Sequence, residues 1–144
     1  MHRAGWCTTS LYIPPHTISN DELVASFNTW ADAWNEEHSA AITAGDVVAK
    51  SHSSTAFIEK ASGIQSRYVM DKEGILDPTI MAPRLDERSN DELSIMAEMG
   101  VAAAKQALER AGRSVDDVDA VICAASNMQR AYPAVSIESQ HALG

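Results

Sequence analysis

The sequence predicts an α/β fold, and three observations carry that expectation. One helix opens on the capping pattern Ser19-Asn20-Asp21-Glu22. A longer one opens on the same pattern at Ser89-Asn90-Asp91-Glu92 and runs to Gly112. Between it and a last helix entered at Pro133 lies an uninterrupted apolar run, Ala120 to Ala125, within residues 119–126. An apolar run of this length without polar alternation is the pattern of a strand covered on both faces. Helix, strand and helix in succession then imply a parallel sheet.

Taken in order, Leu11-Tyr12-Ile13-Pro14-Pro15 ends a short extended segment, because paired prolines suit neither a helix interior nor a central strand. In the pattern at Ser19, the Ser hydroxyl and the Glu22 carboxylate satisfy amide donors left open at a helix start. Leu23, Phe27, Trp30, Ala31 and Trp34 follow at helical spacing, carrying the helix to about His38 and onward toward Ala44. Gly45 interrupts the pattern. Residues 55–61 form a short helix closed by Gly63, and 64–70 are extended. Residues 71–88 hold Gly74, Pro78 and Pro83 and read as an exposed connection long enough to be suspected of function. In the helix from Ser89, Leu93, Ala97, Val101, Ala104 and Leu108 share a face, acidic residues sit in the first turn, and Arg110 lies near the last, as the helix dipole favours. Pro133 fits the first turn of the final helix, which ends at Gly144. The pentapeptide Ser-Asn-Asp-Glu-Leu occurs at 19–23 and 89–93. Its flanks do not match, so it reads as repeated capping chemistry rather than duplication.

Composition narrows the class. The chain has 144 residues, 45% of them hydrophobic and 22% charged, which is ordinary for a globular domain. Ala120–Ala125 is far short of the roughly 18–20 apolar residues that cross a bilayer. The amino terminus turns polar at Thr8-Thr9-Ser10, so a secretion signal is not expected and the expected location is the cytoplasm. A formal net charge of −9 argues against binding a phosphate backbone. The cysteines, Cys7 and Cys123, allow one disulfide and fit a reducing compartment equally well.

No catalytic constellation emerges from spacing. The histidines at 2, 16, 38, 52 and 141 show no metal-ligand pairing, and Glu36-Glu37-His38 are neighbours that point in different directions from a helix. No metal and no cofactor are expected. The seven glycines are scattered, and none builds a phosphate loop. Cys123, among alanines in the expected strand, reads as a packed core thiol of suppressed reactivity. Cys7, beside Trp6 and near Arg3, has no positioned base and reads as an incidental thiol.

Three ordered segments resemble the amino-terminal part of a ketoacyl-ACP synthase III: Ser62-Gly63-Ile64-Gln65-Ser66-Arg67-Tyr68-Val69; the long helix through Ala111-Gly112 to Val118-Asp119-Ala120-Val121-Ile122; and Tyr132-Pro133-Ala134 through Gln140-His141-Ala142-Leu143-Gly144. With Tyr12-Ile13-Pro14-Pro15 and Ser19–Leu23, the resemblance covers nearly the whole chain. Ala56–Ile64, Lys72-Glu73-Gly74-Ile75-Leu76-Asp77-Pro78 and Glu87–Leu93 are most similar to the 3-oxodecanoyl-ACP synthase branch, which extends medium-chain acyl groups. A stretch at about 28–54, absent from the acetyl-primed initiators, points the same way and is expected to be a helical insertion.

The resemblance implies an incomplete amino-terminal half of a thiolase-like fold, acting on acyl-CoA and malonyl-ACP. It implies a cysteine that takes up the acyl group, with His and Asn stabilising the enolate and the thioester oxyanion. All three are expected beyond Gly144, so catalytic residues within the chain are none, and the chain alone is expected to be inactive. The alternative is a non-enzymatic dimerisation or interaction module that binds an intact synthase or a complementing chain. The expected partners are thus a second copy or a complementing chain, with neither nucleic acid nor membrane; the net negative charge also disfavours direct docking of ACP, itself acidic. Where the initiators carry a Trp and an Arg that grip the adenine of CoA, this chain has Phe57 and Ala61, so the clamp is not carried over. Tyr132 matches an aromatic that in the family reaches across the dimer toward the partner's acyl tunnel. Tyr132 and Phe57 are therefore the acyl-tunnel or dimer-interface candidates. Where the family opens with an apolar strand, this chain has His2–Thr9. With one strand foreseen clearly, the sheet is expected to be incomplete and the chain marginally stable.

Overall fold

Ser19 sits in extended backbone and accepts a hydrogen bond from the Glu22 amide at 3.2 Å, while the Glu22 carboxylate accepts from the Ser19 amide at 2.9 Å. This reciprocal cap starts helix α1, Asn20–Glu37, as the sequence predicts. The structure is a computed structural model that describes residues 8–144; Arg3 and Cys7 lie outside the described residues, as does most of the segment 2–9. The described chain divides into two units, Ile13–Asp86 and a second made of residues 8–12 with Glu87–Gly144.

In the first unit, strand β1, His16–Ser19, leads directly into α1. It pairs antiparallel with β2, Ser66–Val69, in the register His16↔Val69 to Ser19↔Ser66. The strand thus follows the two prolines rather than ending at them, since every residue after Pro15 has an amide to give to the ladder. Ile18 is fully buried beneath the pair. Asn20, the first residue of α1, ties the helix to β2 and the residues before it: its amide Nδ2 donates to the Ile64 carbonyl at 2.6 Å, and its Oδ1 accepts from Arg67 at 3.2 Å. Helix α2, Ser39–Ala44, continues the helical run after a break at His38 and ends at Gly45, whose φ of 82° only glycine adopts without strain. Helix α3, Thr55–Ser62, is capped by Ser54 and stopped by Gly63. The connection 71–86 contains one helical turn, α4, Glu73–Leu76.

The second unit is built on α5, Ile95–Ala111, which packs against α6, Val135–Leu143. Ala97, Val101 and Val135 form its buried apolar centre. Residues 9 and 10 are held to α5: Arg110 donates to the Thr9 carbonyl and Ser10 to Gln106, both at 3.1 Å. After Gly112, Val115–Asp117 form a single 3-10 turn.

Five expectations differ from the structure. The helix expected from Ser89 begins six residues later, at Ile95, with Ser94 as its cap. Ser89 and Glu92 do close the local hydrogen bond, at 2.8 Å, but they close it around a turn. The last helix begins at Val135, two residues after Pro133, and the Tyr132–Pro133 peptide is cis. Residues 119–126 form no strand, and Cys123 is exposed rather than packed in a core. An apolar strand needs a neighbour for its backbone groups, and no backbone hydrogen bond among the described residues engages this segment. For the same reason the expected parallel sheet is not formed; the sheet among the described residues is the antiparallel β1–β2 pair.

Candidate functional site

The two candidate residues fall in separate units, and each has its own surroundings. Phe57 lies in the first turn of α3 and is 66% exposed. Ala61, one turn further on, is exposed as well, so the positions matching the clamp share an open face and present a ring with no arginine beside it in the sequence. Ile58, next along the chain, turns inward. With Leu23, Val24 and Phe27 of α1, Ser53 and Met81, it lines an apolar recess of about 230 Å³.

One wall of that recess is held in a way the sequence reading missed. Asn28 donates its Nδ2 to the Ser53 carbonyl at 3.2 Å and accepts the Ser53 amide on Oδ1 at 2.8 Å. Asn35 repeats the pattern on Lys50, at 2.9 and 2.8 Å. Between them Asp32 pairs with His52 at 2.6 Å, and Thr55 donates to Asp21 at 2.6 Å. Residues 50–55 therefore run antiparallel along one stripe of α1. The sequence signal was the spacing 28, 32, 35 of short polar side chains on one helical face, but their partners lie 15 to 25 residues away.

The loop after β2 is ordered by carboxylates. Asp71 accepts the backbone amides of Glu73, Gly74 and Arg84, and these bonds, the one from Arg84 foremost, hold its pKa below the ordinary range. Asp77 is lowered by the hydroxyl and amide of Thr79, with Arg84 adding charge 3.0 Å away. Lys72 pairs with Glu22, and this bond, with those from Ser19, pulls the Glu22 carboxyl down to about 2. The polar hollow lined by His16, Asp71, Lys72, Glu73, Leu76 and Asp77 is thus flanked by carboxylates already committed to structure. Among the described residues no three His, Cys, Asp or Glu side chains group as metal ligands.

In the second unit Tyr132 is 89% exposed, and the preceding stretch leaves Ile122 92% exposed and Met128 open as well. The ordered polar feature there is another that sequence reading missed. Glu138 of α6 is buried, and its two oxygens take the Ser94 amide at 2.9 Å and the Ser94 hydroxyl at 2.7 Å. Arg130 stands 3.6 Å from the same carboxylate and donates to the Asn90 carbonyl at 3.4 Å.

Among the described residues these groups build no nucleophile–base pair. No family model matches the chain. It is 62% identical over 119 residues to the beta-ketodecanoyl-[acyl-carrier-protein] synthase of Pseudomonas aeruginosa, a match covering 83% of this chain and 34% of that protein. This chain belongs to the ketoacyl-ACP synthase III family. A second member, the beta-ketoacyl-[acyl-carrier-protein] synthase III of Granulibacter bethesdensis, is 28% identical over 144 residues, covering all of this chain and 31% of its own. That of Rhizobium meliloti is 48% identical over 48 residues, a third of this chain. The chain spans about a third of the length of the curated relatives that match most of it. Mixed helix and strand content agrees with the expected partial thiolase-like α/β fold. No helix among the described residues is long and apolar enough to cross a membrane.

Proposed function

We propose that these 144 residues are part of a 3-oxoacyl-ACP synthase III of the medium-chain branch, in which an acyl group from acyl-CoA is condensed with malonyl-ACP. The observation that carries this reading is the 62% identity to the beta-ketodecanoyl-ACP synthase. In the reaction a cysteine thiolate displaces CoA thiolate and holds the acyl group as a thioester. Malonyl-ACP then loses carbon dioxide, and the resulting enolate attacks the thioester, giving 3-oxoacyl-ACP and restoring the thiolate. The cysteine, histidine and asparagine for these steps are supplied by sequence outside these residues; of the cysteines here, Cys123 has no base beside it. The residues at about 28–54 are the insertion of this branch, Tyr132 faces a partner subunit's acyl tunnel, and Phe57 remains open to stack on a base. The setting is cytoplasmic.

The test is a condensation assay with octanoyl-CoA and malonyl-ACP, run on the 144 residues alone and with a polypeptide covering the remaining two-thirds of a relative. Activity only in the mixture is expected, and turnover by the 144 residues alone overturns the assignment of catalysis to the rest. The exposed apolar stretch around Ile122, Met128 and Tyr132 favours a second reading, a non-enzymatic module that binds an intact synthase. It predicts a complex with intact synthase on size exclusion and no activity in either arm of the assay.

A further inference from the structure

The pentapeptide that starts a helix at Ser19 does not start one at Ser89, although half of the cap is closed there: the Ser89 amide donates to the Glu92 carboxylate at 2.8 Å. A helix wound back to that cap would begin at Asn90 and run unbroken into α5, five residues earlier than Ile95. It needs the backbone bonds Ser94 to Asn90, Met96 to Glu92 and Ala97 to Leu93, each from an amide to the carbonyl four residues before.

Side chains hold the groups of those bonds apart. The Asn90 carbonyl accepts from Arg130 at 3.4 Å, while the Ser94 amide donates to Glu138 at 2.9 Å. The two members of one ion pair thus occupy the two ends of one helical hydrogen bond. The Met96 amide donates to the side-chain carbonyl of Gln129 at 3.2 Å. The Leu93 carbonyl accepts from Arg88 at 2.9 Å, and the Ala97 amide donates to the Ser94 hydroxyl oxygen at 3.2 Å. All five backbone groups are satisfied, so winding the turn exchanges side-chain partners for backbone ones rather than making bonds that are now missing. Ser94 is the hinge: its φ of −61° is already helical, and its ψ of 151° is the angle that differs.

We propose that the start of α5 is a two-register switch: it lies at Ser94 while Gln129 and Arg130 are seated on it, and moves back to Ser89 when they withdraw. Those two residues lie between Met128, 67% exposed, and Tyr132, 89% exposed. A displacement of that open stretch is thereby passed to residues 89–94. Glu138 is released with it, because Arg130 is the counter-charge of that buried carboxylate. The coupling is carried by an element with two discrete arrangements, each with its own set of hydrogen bonds.

NMR on the 144-residue chain and on Gln129→Ala/Arg130→Ala tests this. The backbone carbon shifts of Asp91, Glu92 and Leu93 should be non-helical in the unaltered chain and helical in the double variant, and adding Asp91→Gly, which disfavours helix, should reverse the change. Winding passes the Met96 amide from Gln129 to the Glu92 carbonyl. Its hydrogen exchange in the double variant should therefore stay within about threefold of the unaltered rate, whereas fraying leaves the amide unbonded and speeds exchange toward about tenfold. A folded double variant with non-helical shifts at 91–93, or with faster exchange than that at Met96, overturns the switch. Carbon saturation transfer on the unaltered chain needs no variant. It should connect the native signals with a minor state, populated above about 0.5%, whose carbons at 91–94 are helical; coil shifts in the minor state, or no state above that population, reject the proposal.

Discussion

Ser94 and Glu138 hold one another in a buried pair: the hydroxyl of Ser94 donates to one carboxylate oxygen at 2.7 Å and its amide to the other at 2.9 Å, with both residues shielded from water. Ser94 also caps α5, accepting from the Ala97 amide at 3.2 Å. One carboxylate on α6 thus fixes where α5 begins. Arg130, largely buried beside it, supplies the opposing charge.

Removing that carboxylate leaves two buried donors and a cation without their acceptor, which is costlier than never having built the pair. Glu138→Ala is expected to destabilise the second unit by about 2–4 kcal/mol, with Glu138→Gln intermediate because it retains one acceptor. Urea denaturation followed by circular dichroism measures this. A loss within about 0.5 kcal/mol, the size typical of a plain surface substitution, would show that the pair does not anchor α5.

Acid should weaken the fold through carboxylates that are ionised in it. Glu22 is drawn from 4.5 to about 2, first by Lys72 and then by Ser19, and Asp71, Asp77 and Glu92 are lowered too. A group whose folded pKa lies below its unfolded value contributes stability that is complete above the unfolded pKa and lost as pH falls through the folded one. Stability is therefore expected to be level above about pH 5 and to decline from there toward pH 2, with Glu22→Gln flattening part of the decline. These groups are solvated, so salt should blunt the Lys72 contribution. Melting temperatures measured across this range test it; a temperature that rises between pH 5 and pH 3 contradicts the sign.

Two glycines should respond oppositely to alanine. At Gly74 an added Cβ would stand 2.5 Å from the Ala82 carbonyl oxygen, 2.6 Å from Asp71 Oδ2 and 2.9 Å from Arg84, and two of those atoms are fixed in the hydrogen-bonded loop. Gly74→Ala should cost about 1–3 kcal/mol. At Gly100, inside α5, the nearest atom is Ser139 Oγ at 3.7 Å, an ordinary contact. Gly100→Ala should add about 0.5–1 kcal/mol through helix propensity. Paired denaturation curves read both; a gain at Gly74 or a loss at Gly100 refutes the respective contact.

How much of this was legible in the sequence depends on where the partner of each group lies. Ser19 with Glu22, and the glycines 63 and 112 that stop helices, act on backbone within a few residues, and the sequence located all of them. The pentapeptide at 89–93 makes the same Ser–Glu bond as its twin. Its helix is nevertheless deferred, because Arg88 donates to the Leu93 carbonyl at 2.9 Å and Glu138 claims Ser94 from 44 residues away. The fastening of residues 50–53 to Asn28 and Asn35 was hidden for the same reason. Phe57 and Tyr132 were legible only by resemblance, and both side chains are exposed.

The apolar side chains of residues 119–126 predict a covered strand, but apolarity states a need for cover without supplying it. In the structure Val121 is half-buried while Ile122 stands 92% exposed, and no backbone hydrogen bond within the described chain engages residues 119–126. Unpaired amides and carbonyls beside exposed aliphatic side chains form a template for another chain. The 144 residues alone should therefore associate as concentration rises, and Ile122→Lys, which places a charge in the segment without removing any buried contact, should suppress that association. Sedimentation velocity over a hundredfold range of concentration resolves the point. If the unaltered chain remains monomeric and melts in one cooperative transition, the segment does not need a partner and the chain is more self-sufficient than its exposed apolar surface implies.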